Sequence, residues 1–283
     1  MAGILSGLKG LGLEELEKRE LYEEEEKTKE IPIRKAEPKR VIVEEKDLIY
    51  DKSFSCPVCD HKFTSKVMKT GKTRLVSADL DCRPVYEGIE SSKYDVAQCP
   101  GCGYAAMVPY FRPLLKTQIE LVQENICDHI KMEISEGEIY SYEDMITRYR
   151  VALACAIVKH AKDSEKAYIC LHFAWLLRGY VQKLEEEGHL TAEKEKRLKG
   201  QETECLQKAL EGLINARQKE SLPICGMDQI SLDYMIAAVA YETEKDNIAA
   251  KMVSEILVSS IANSRMKDKA RDLKQLILER HKK

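Results

Sequence analysis

At 283 residues with a formal charge of −3, the chain is long enough for two domains and has no global bias toward nucleic acid or an anionic membrane. One third of its residues are charged and 44% are hydrophobic, an ordinary balance for a water-soluble, helix-rich protein. Ten cysteines occur without a secretory leader and without an apolar run near the roughly 20 residues that span a bilayer, so the expectation is reduced thiols in the cytoplasm, not a disulfide framework.

Residues 1–16 mix glycine with Ile4, Leu5, Leu8, Leu11, Leu13 and Leu16 at rough helical spacing. Gly3, Gly7, Gly10 and Gly12 weaken an isolated helix, which favours a mobile tail over a docking segment. Residues 14–45 are dense in both charges and lack a sustained apolar face. Residues 1–50 are therefore expected to be a flexible or marginally helical charged segment.

Residues 51–112 carry the clearest signal. Cys56-Pro57-Val58-Cys59 and Cys99-Pro100-Gly101-Cys102 each have the two-residue gap that lets both thiolates of a tight turn face one tetrahedral ion. Cys56, Cys59, Cys99 and Cys102 are thus the expected ligands of a structural zinc ion, in a small β zinc ribbon. Iron in a rubredoxin-like site is the alternative, since tetrahedral sulfur suits it too; Asp60 stands where such a turn would have glycine. Thr70-Gly71-Lys72, between Phe63, Val67, Leu75 and Val76, predicts a short hairpin, and Tyr94 to Ala97 a strand.

Lys62, Lys66, Lys69, Lys72 and Arg74 form a basic run that suggests a nucleic-acid grip. The region holds nine basic and seven acidic residues, and four thiolates on one Zn²⁺ bring it near neutrality, which favours a solvated hairpin face. Gly71-Lys72-Thr73 imitates the end of a phosphate loop, but Lys66 stands where the first glycine belongs. Asp79 and Asp81 share a face of an extended segment and, with Arg83 nearby, read as an ion-pair cluster before an acid/base pair. Tyr86, Tyr94 and Tyr104 read as packing residues.

Residues 113–283 are expected to be all helical and tetratricopeptide-like. The pattern predicts a first helix from about Pro113 to Ile134, then starts near Ser141, Asp163, Thr191, Asp228, Lys245 and Lys267, with a break at Pro223 and Gly226. No clean repeat of about 34 residues is present. Cys127 and His129 are too close in sequence to face one another on a regular helix. Cys155, Cys170 and Cys205 fall on apolar stripes, where cysteine is a small core residue. Trp175 reads as core and His172 as a boundary residue. No HExxH, GxSxG or glycine-rich dinucleotide loop occurs.

These residues together resemble a known bacterial family, domain of unknown function 2225. The resemblance rests on CPVCDHKF from Cys56, the Asp79-Leu80-Asp81 segment with Arg83 and Tyr86, and KYDVAQCPGCGYAA from Lys93. It continues through AWLLR from Ala174, ICGMD from Ile224 with Leu232-Asp233-Tyr234, and RMKDKARDLK from Arg265. The start, ILSGLKGLGLEELE, is similar to the clostridial branch. The resemblance implies a cytoplasmic protein with a zinc ribbon joined to tetratricopeptide-like helices, and carries over no activity. Cys82 departs from the expected pattern.

The fold class expected is α+β, mainly α. The function expected is non-enzymatic: a zinc-binding scaffold or adaptor whose ribbon and helical stack meet a protein or peptide partner. Arg74, Asp79, Asp81, Arg83 and Tyr86 are the expected partner-facing surface. A nucleic-acid-binding regulator and an iron redox protein are the alternatives.

Overall fold

Each CxxC turn is the loop of its own antiparallel hairpin. Strand β1 (Ile49–Ser55) pairs with β2 (Lys62–Met68), with Ile49 opposite Met68 and Ser55 opposite Lys62, so residues 56–61 cross the tip. Between this hairpin and the next, β3 (Leu75–Ala78) pairs with β4 (Pro84–Tyr86). Strand β5 (Val96–Gln98) then pairs with β6 (Ala105–Met107) across residues 99–104. The computed structural model describes residues 44–131 and 137–282; the expectations for residues 1–43 fall outside that range.

The expected hairpin across Thr70-Gly71-Lys72 does not form. Strand β2 pairs back onto β1, and β3 pairs forward onto β4. The cause is β1, a full-length partner on the N-terminal side of the first cysteine pair, whose reach is extended by the Lys69 N–H donating to the Leu48 carbonyl at 2.8 Å. Phe54 and Phe63 face each other across this hairpin with rings stacked 5.7 Å apart, and Phe111 packs edge-on at 5.3 and 5.7 Å.

Four of the described helices begin at a side-chain cap. Ser141, Thr191, Asp228 and Asn263 accept backbone N–H bonds that start α2 (Tyr142–Val158), α4 (Ala192–Lys219), α5 (Gln229–Glu242) and α7 (Ser264–Arg280). Helices α3 (Asp163–Glu186) and α6 (Asp246–Val258) follow Lys162 and Lys245 and start without a side-chain cap. The last helix starts ahead of Lys267 because Asn263 caps it. The first is shorter than predicted: α1 (Lys116–Val122) passes into a π turn at Gln123–Cys127 and stops. The described chain is thus α+β, mainly α, as the sequence predicts. No described helix is long and apolar enough to cross a membrane.

Helix α3 is buried over most of its length because other elements cover it on several sides. One core joins Leu48, Tyr94, Val96 and Met107 to Tyr149 on α2 and Ile169, Leu176 and Leu177 on α3. A second joins α3 to α4, α5, α6 and α7. A third surrounds the cysteines, with Val58, Tyr104, Ala106, Val122 and Cys155. The strands and the helices therefore share apolar cores.

Candidate metal centre

The two cysteine turns are built alike. The Cys56 N–H donates to the His61 carbonyl and the Asp60 N–H to the Cys56 carbonyl; the Cys99 N–H donates to the Tyr104 carbonyl and the Gly103 N–H to the Cys99 carbonyl, all at 2.9 Å. Both turns need left-handed backbone at the residue after the second cysteine, where Asp60 has φ 59° and Gly103 φ 78°. Aspartate tolerates that region, so the missing glycine at 60 does not alter the turn.

The turns bring the sulfurs together crosswise. Cys56 Sγ lies 3.6 Å from Cys102 Sγ, and Cys59 Sγ 3.6 Å from Cys99 Sγ. All four fall within 4.8 Å of one another. Metal–sulfur bonds of about 2.3 Å at a tetrahedral ion place sulfurs roughly 3.8 Å apart, so the cluster fits a metal with four thiolate ligands. Cys56 and Cys99 are buried, and burial pushes the Cys99 thiol up to about 11. A bound cation is the charge that would hold such a thiol as thiolate at neutral pH. His61 is exposed and lies outside the sulfur cluster.

Gly103 is demanded twice over, by its φ and by its neighbour. A Cβ there would sit 2.6 Å from Ile130 Cγ2. Gly103→Ala should cost about 1–3 kcal/mol, seen as a lower urea midpoint at unchanged slope. Parent-like stability would contradict the packing described.

A second constellation joins the loop after β3 to α3, α4 and α5. Asp81, 0% exposed, accepts from Trp175 Nε1 at 2.8 Å and pairs with Arg178 at 3.1 Å. Arg178 also donates to Asp79 (3.1 Å), Glu202 (2.7 Å) and Glu242 (2.6 Å). Arg83, 3% exposed, donates to Asp79 at 3.1 Å, Glu90 at 2.5 Å and Gln182 at 3.0 Å. Of the residues expected on a partner-facing surface, only Arg74 lies open, 3.6 Å from Glu87. Asp79 and Tyr86 are half-buried, and Asp81 and Arg83 turn inward to hold the fold.

In this network two guanidinium groups face five carboxylates. Burial, and then the Asp81 charge, push the Glu242 carboxyl from its ordinary 4.5 up to about 7. The folded protein therefore holds that proton more tightly than the unfolded chain does. The associated stability is complete below about pH 4.5 and is lost as pH rises through 7. Unfolding in urea should show the parent losing on the order of 3 kcal/mol relative to Glu242→Gln between pH 5 and 8. Parallel pH profiles would contradict the assignment.

A family model described as "Uncharacterized protein conserved in bacteria (DUF2225)" matches residues 49–277. The chain belongs to this family. An "Uncharacterized protein" of Borreliella burgdorferi (strain ATCC 35210 / DSM 4680 / CIP 102532 / B31) is 31% identical over 78 residues. That stretch is 25% of this chain and 28% of the relative, so the match spans under a third of the relative's length. No solved structure matches the chain.

In this DUF2225 chain the matched region takes in both cysteine turns and the whole polar network. In the basic run, Lys66 pairs with Asp51 at 3.2 Å and Lys69 donates to the Asp47 carbonyl at 3.0 Å. Cys127 lies beside Cys102, and burial pushes its thiol up to about 11; no bond joins it to His129 among the described residues. Cys155 and Cys170 are buried, as the apolar stripes predict. His172 is more than a boundary residue: its Nδ1 lies 2.7 Å from Asp95 Oδ2, and its ring packs against Tyr168 and Trp175. It ties the segment before β5 to α3.

Proposed function

We propose that this DUF2225 protein is a cytoplasmic, non-enzymatic zinc-binding scaffold or adaptor. Cys56, Cys59, Cys99 and Cys102 hold one Zn²⁺ in a closed, all-sulfur site of the zinc-ribbon type. Such a site supplies folding energy and leaves no position for substrate. The observation that carries the reading is the crosswise approach of the four sulfurs, all within 4.8 Å, from two turns of the same hydrogen-bonded build. The helices form the tetratricopeptide-like part: α3 packs on α4, α5 on α6 and α6 on α7 in series, and such stacks work by offering a face to a protein or peptide.

Elemental analysis of purified protein tests the metal. One zinc per chain and a colourless solution are expected; a coloured, iron-loaded protein overturns that half. Affinity capture from cell extract by wild type and by Cys99→Ser, followed by mass spectrometry, tests the adaptor half. Specific protein partners are expected, with a subset lost from the variant. Recovery of nucleic acid alone, with binding that falls steeply with salt, overturns it.

A further inference from the structure

Helices α2 and α4 both pack against α3, and a groove runs between them with α3 as its floor. Two cavities follow it, of about 230 and 180 Å³. The first is lined by Ile146, Tyr180 and Leu198, the second by Leu153, Phe173 and Cys205. Both are below the roughly 300 Å³ at which pockets for drug-sized ligands begin, which suits one side chain each. The lining advances from Glu143 to Leu153 on α2 and from Arg197 to Lys208 on α4, about 15 Å of helix on either side.

Arg150 from α2 and Gln201 from α4 border both cavities and so mark the middle of the groove. Arg150 is exposed, Gln201 is half-buried, and neither makes a hydrogen bond or ion pair among the described residues. The remaining charges lie toward the ends. Glu143 and Lys194 both bond to the Tyr180 hydroxyl, and Lys208 pairs with Glu211 at 3.0 Å. Arg197 at the first cavity and Glu204 at the second have no ion-pair partner among the described residues. The middle therefore presents a free guanidinium and a free amide between two apolar hollows.

The occupant follows from that order. A guanidinium favours a carboxylate, and a side-chain amide, donor and acceptor at once, matches a peptide unit. In an extended chain residues i, i+2 and i+4 share one face, about 6.6 Å apart. Along α2, Ile146 and Leu153 lie about 6 and 4.5 Å from Arg150. An acid seated on Arg150 thus puts the next same-face side chain on each side over a cavity. The length of the groove matches about five extended residues.

We propose that this groove binds an extended segment of a partner protein, with apolar residues two positions before and after a glutamate or aspartate. The carboxylate accepts from the Arg150 guanidinium, the peptide backbone bonds to the Gln201 amide, and the apolar side chains fill the two cavities. The site rests on the adaptor reading and supplies the chemistry of its partner.

The test titrates the metal-loaded full chain into capped, fluorescein-labelled heptapeptides Gly-X-Ser-Glu-Ser-X-Gly, with Leu, Met or Phe at X, read by fluorescence anisotropy. At least one is expected to bind with a Kd below about 100 μM. Lysine in place of its glutamate, or alanine at both X positions, should weaken binding at least about tenfold. Arg150 holds no other group of the fold, so Arg150→Glu should keep the parent thermal melt. That variant should lose about tenfold for the glutamate peptide and gain about tenfold for the lysine peptide. No saturable binding across the panel, equal binding of the lysine or alanine peptide, or full affinity in Arg150→Glu overturns the proposal. So does saturable binding of decanoate without binding of any peptide, which would make the groove a lipid site. Affinity capture keeps the two readings apart: protein partners retained equally by Arg150→Glu and wild type leave the adaptor reading standing and overturn the groove assignment.

Discussion

Stripping the metal with a strong chelator should lower the thermal midpoint by more than about 10 °C. The strands that carry the second cysteine turn are three residues each, too short to persist on ladder hydrogen bonds. Structural zinc contributes about 10–16 kcal/mol in finger peptides. Here part of that support is replaced, because Val96, Ala106 and Met107 are buried against helices. A net loss of at least ~4–5 kcal/mol is therefore expected, and each kcal/mol moves the midpoint of a chain near this size by about 2–4 °C. Cys99→Ser should act in the same direction, while Cys205→Ser, remote from the sulfur cluster, should leave metal content at the parent level. Because binding displaces protons from buried thiols, affinity for the ion should fall as pH falls. Calorimetry paired with elemental analysis reads both effects, and an ion-free protein with an unchanged midpoint would end the claim that ligation supports the fold.

Arg178→Met should be nearly as damaging without touching the metal. The guanidinium stands among Asp79, Asp81, Glu202 and Glu242. Removing it leaves those carboxylates facing one another in a partly dehydrated site, and orphaning a buried ion-pair network costs about 3–5 kcal/mol. Arg178→Lys should recover only part of this, since an ammonium cannot present the planar fork that reaches several acceptors at once. Urea unfolding of the three proteins measures the series. Parent-like stability of Arg178→Met would show that the network is a solvated surface feature, contrary to the burial of Asp81.

What could be foreseen follows the range over which each cause acts. The cysteine turns are local chemistry, four residues long, and were plain in the sequence. Helix starts at Ser141, Thr191 and Asp228 were equally plain, because a cap acts over three residues. The β1–β2 pairing was hidden because residues 49–55 alternate Ile, Tyr, Asp and Lys without a clear apolar face. Asp79, Asp81 and Arg83 were recognisable as a polar group, and an ion-pair cluster is what they form; their partners Arg178, Glu202 and Glu242 lie about 100 residues away or more. One signal pointed there: Arg178 is a lone charge inside YICLHFAWLLRGYV, a segment apolar on every face. A helix of that kind is buried all round, and a charge within it must find a counter-charge. Asp95 and His172 were missed for the same reason of distance.

The shared cores bear on how the protein can be divided. Cut after residue 112, the helical piece would lose Tyr94, Val96 and Met107 from against Tyr149, Ile169 and Leu176, leaving a broad greasy face bare to water. Such a fragment should clump during expression, whereas an excised hairpin pair would have nothing to rest on. Each half serves as the other's chaperone surface, and the smallest piece worth making independently begins before β1.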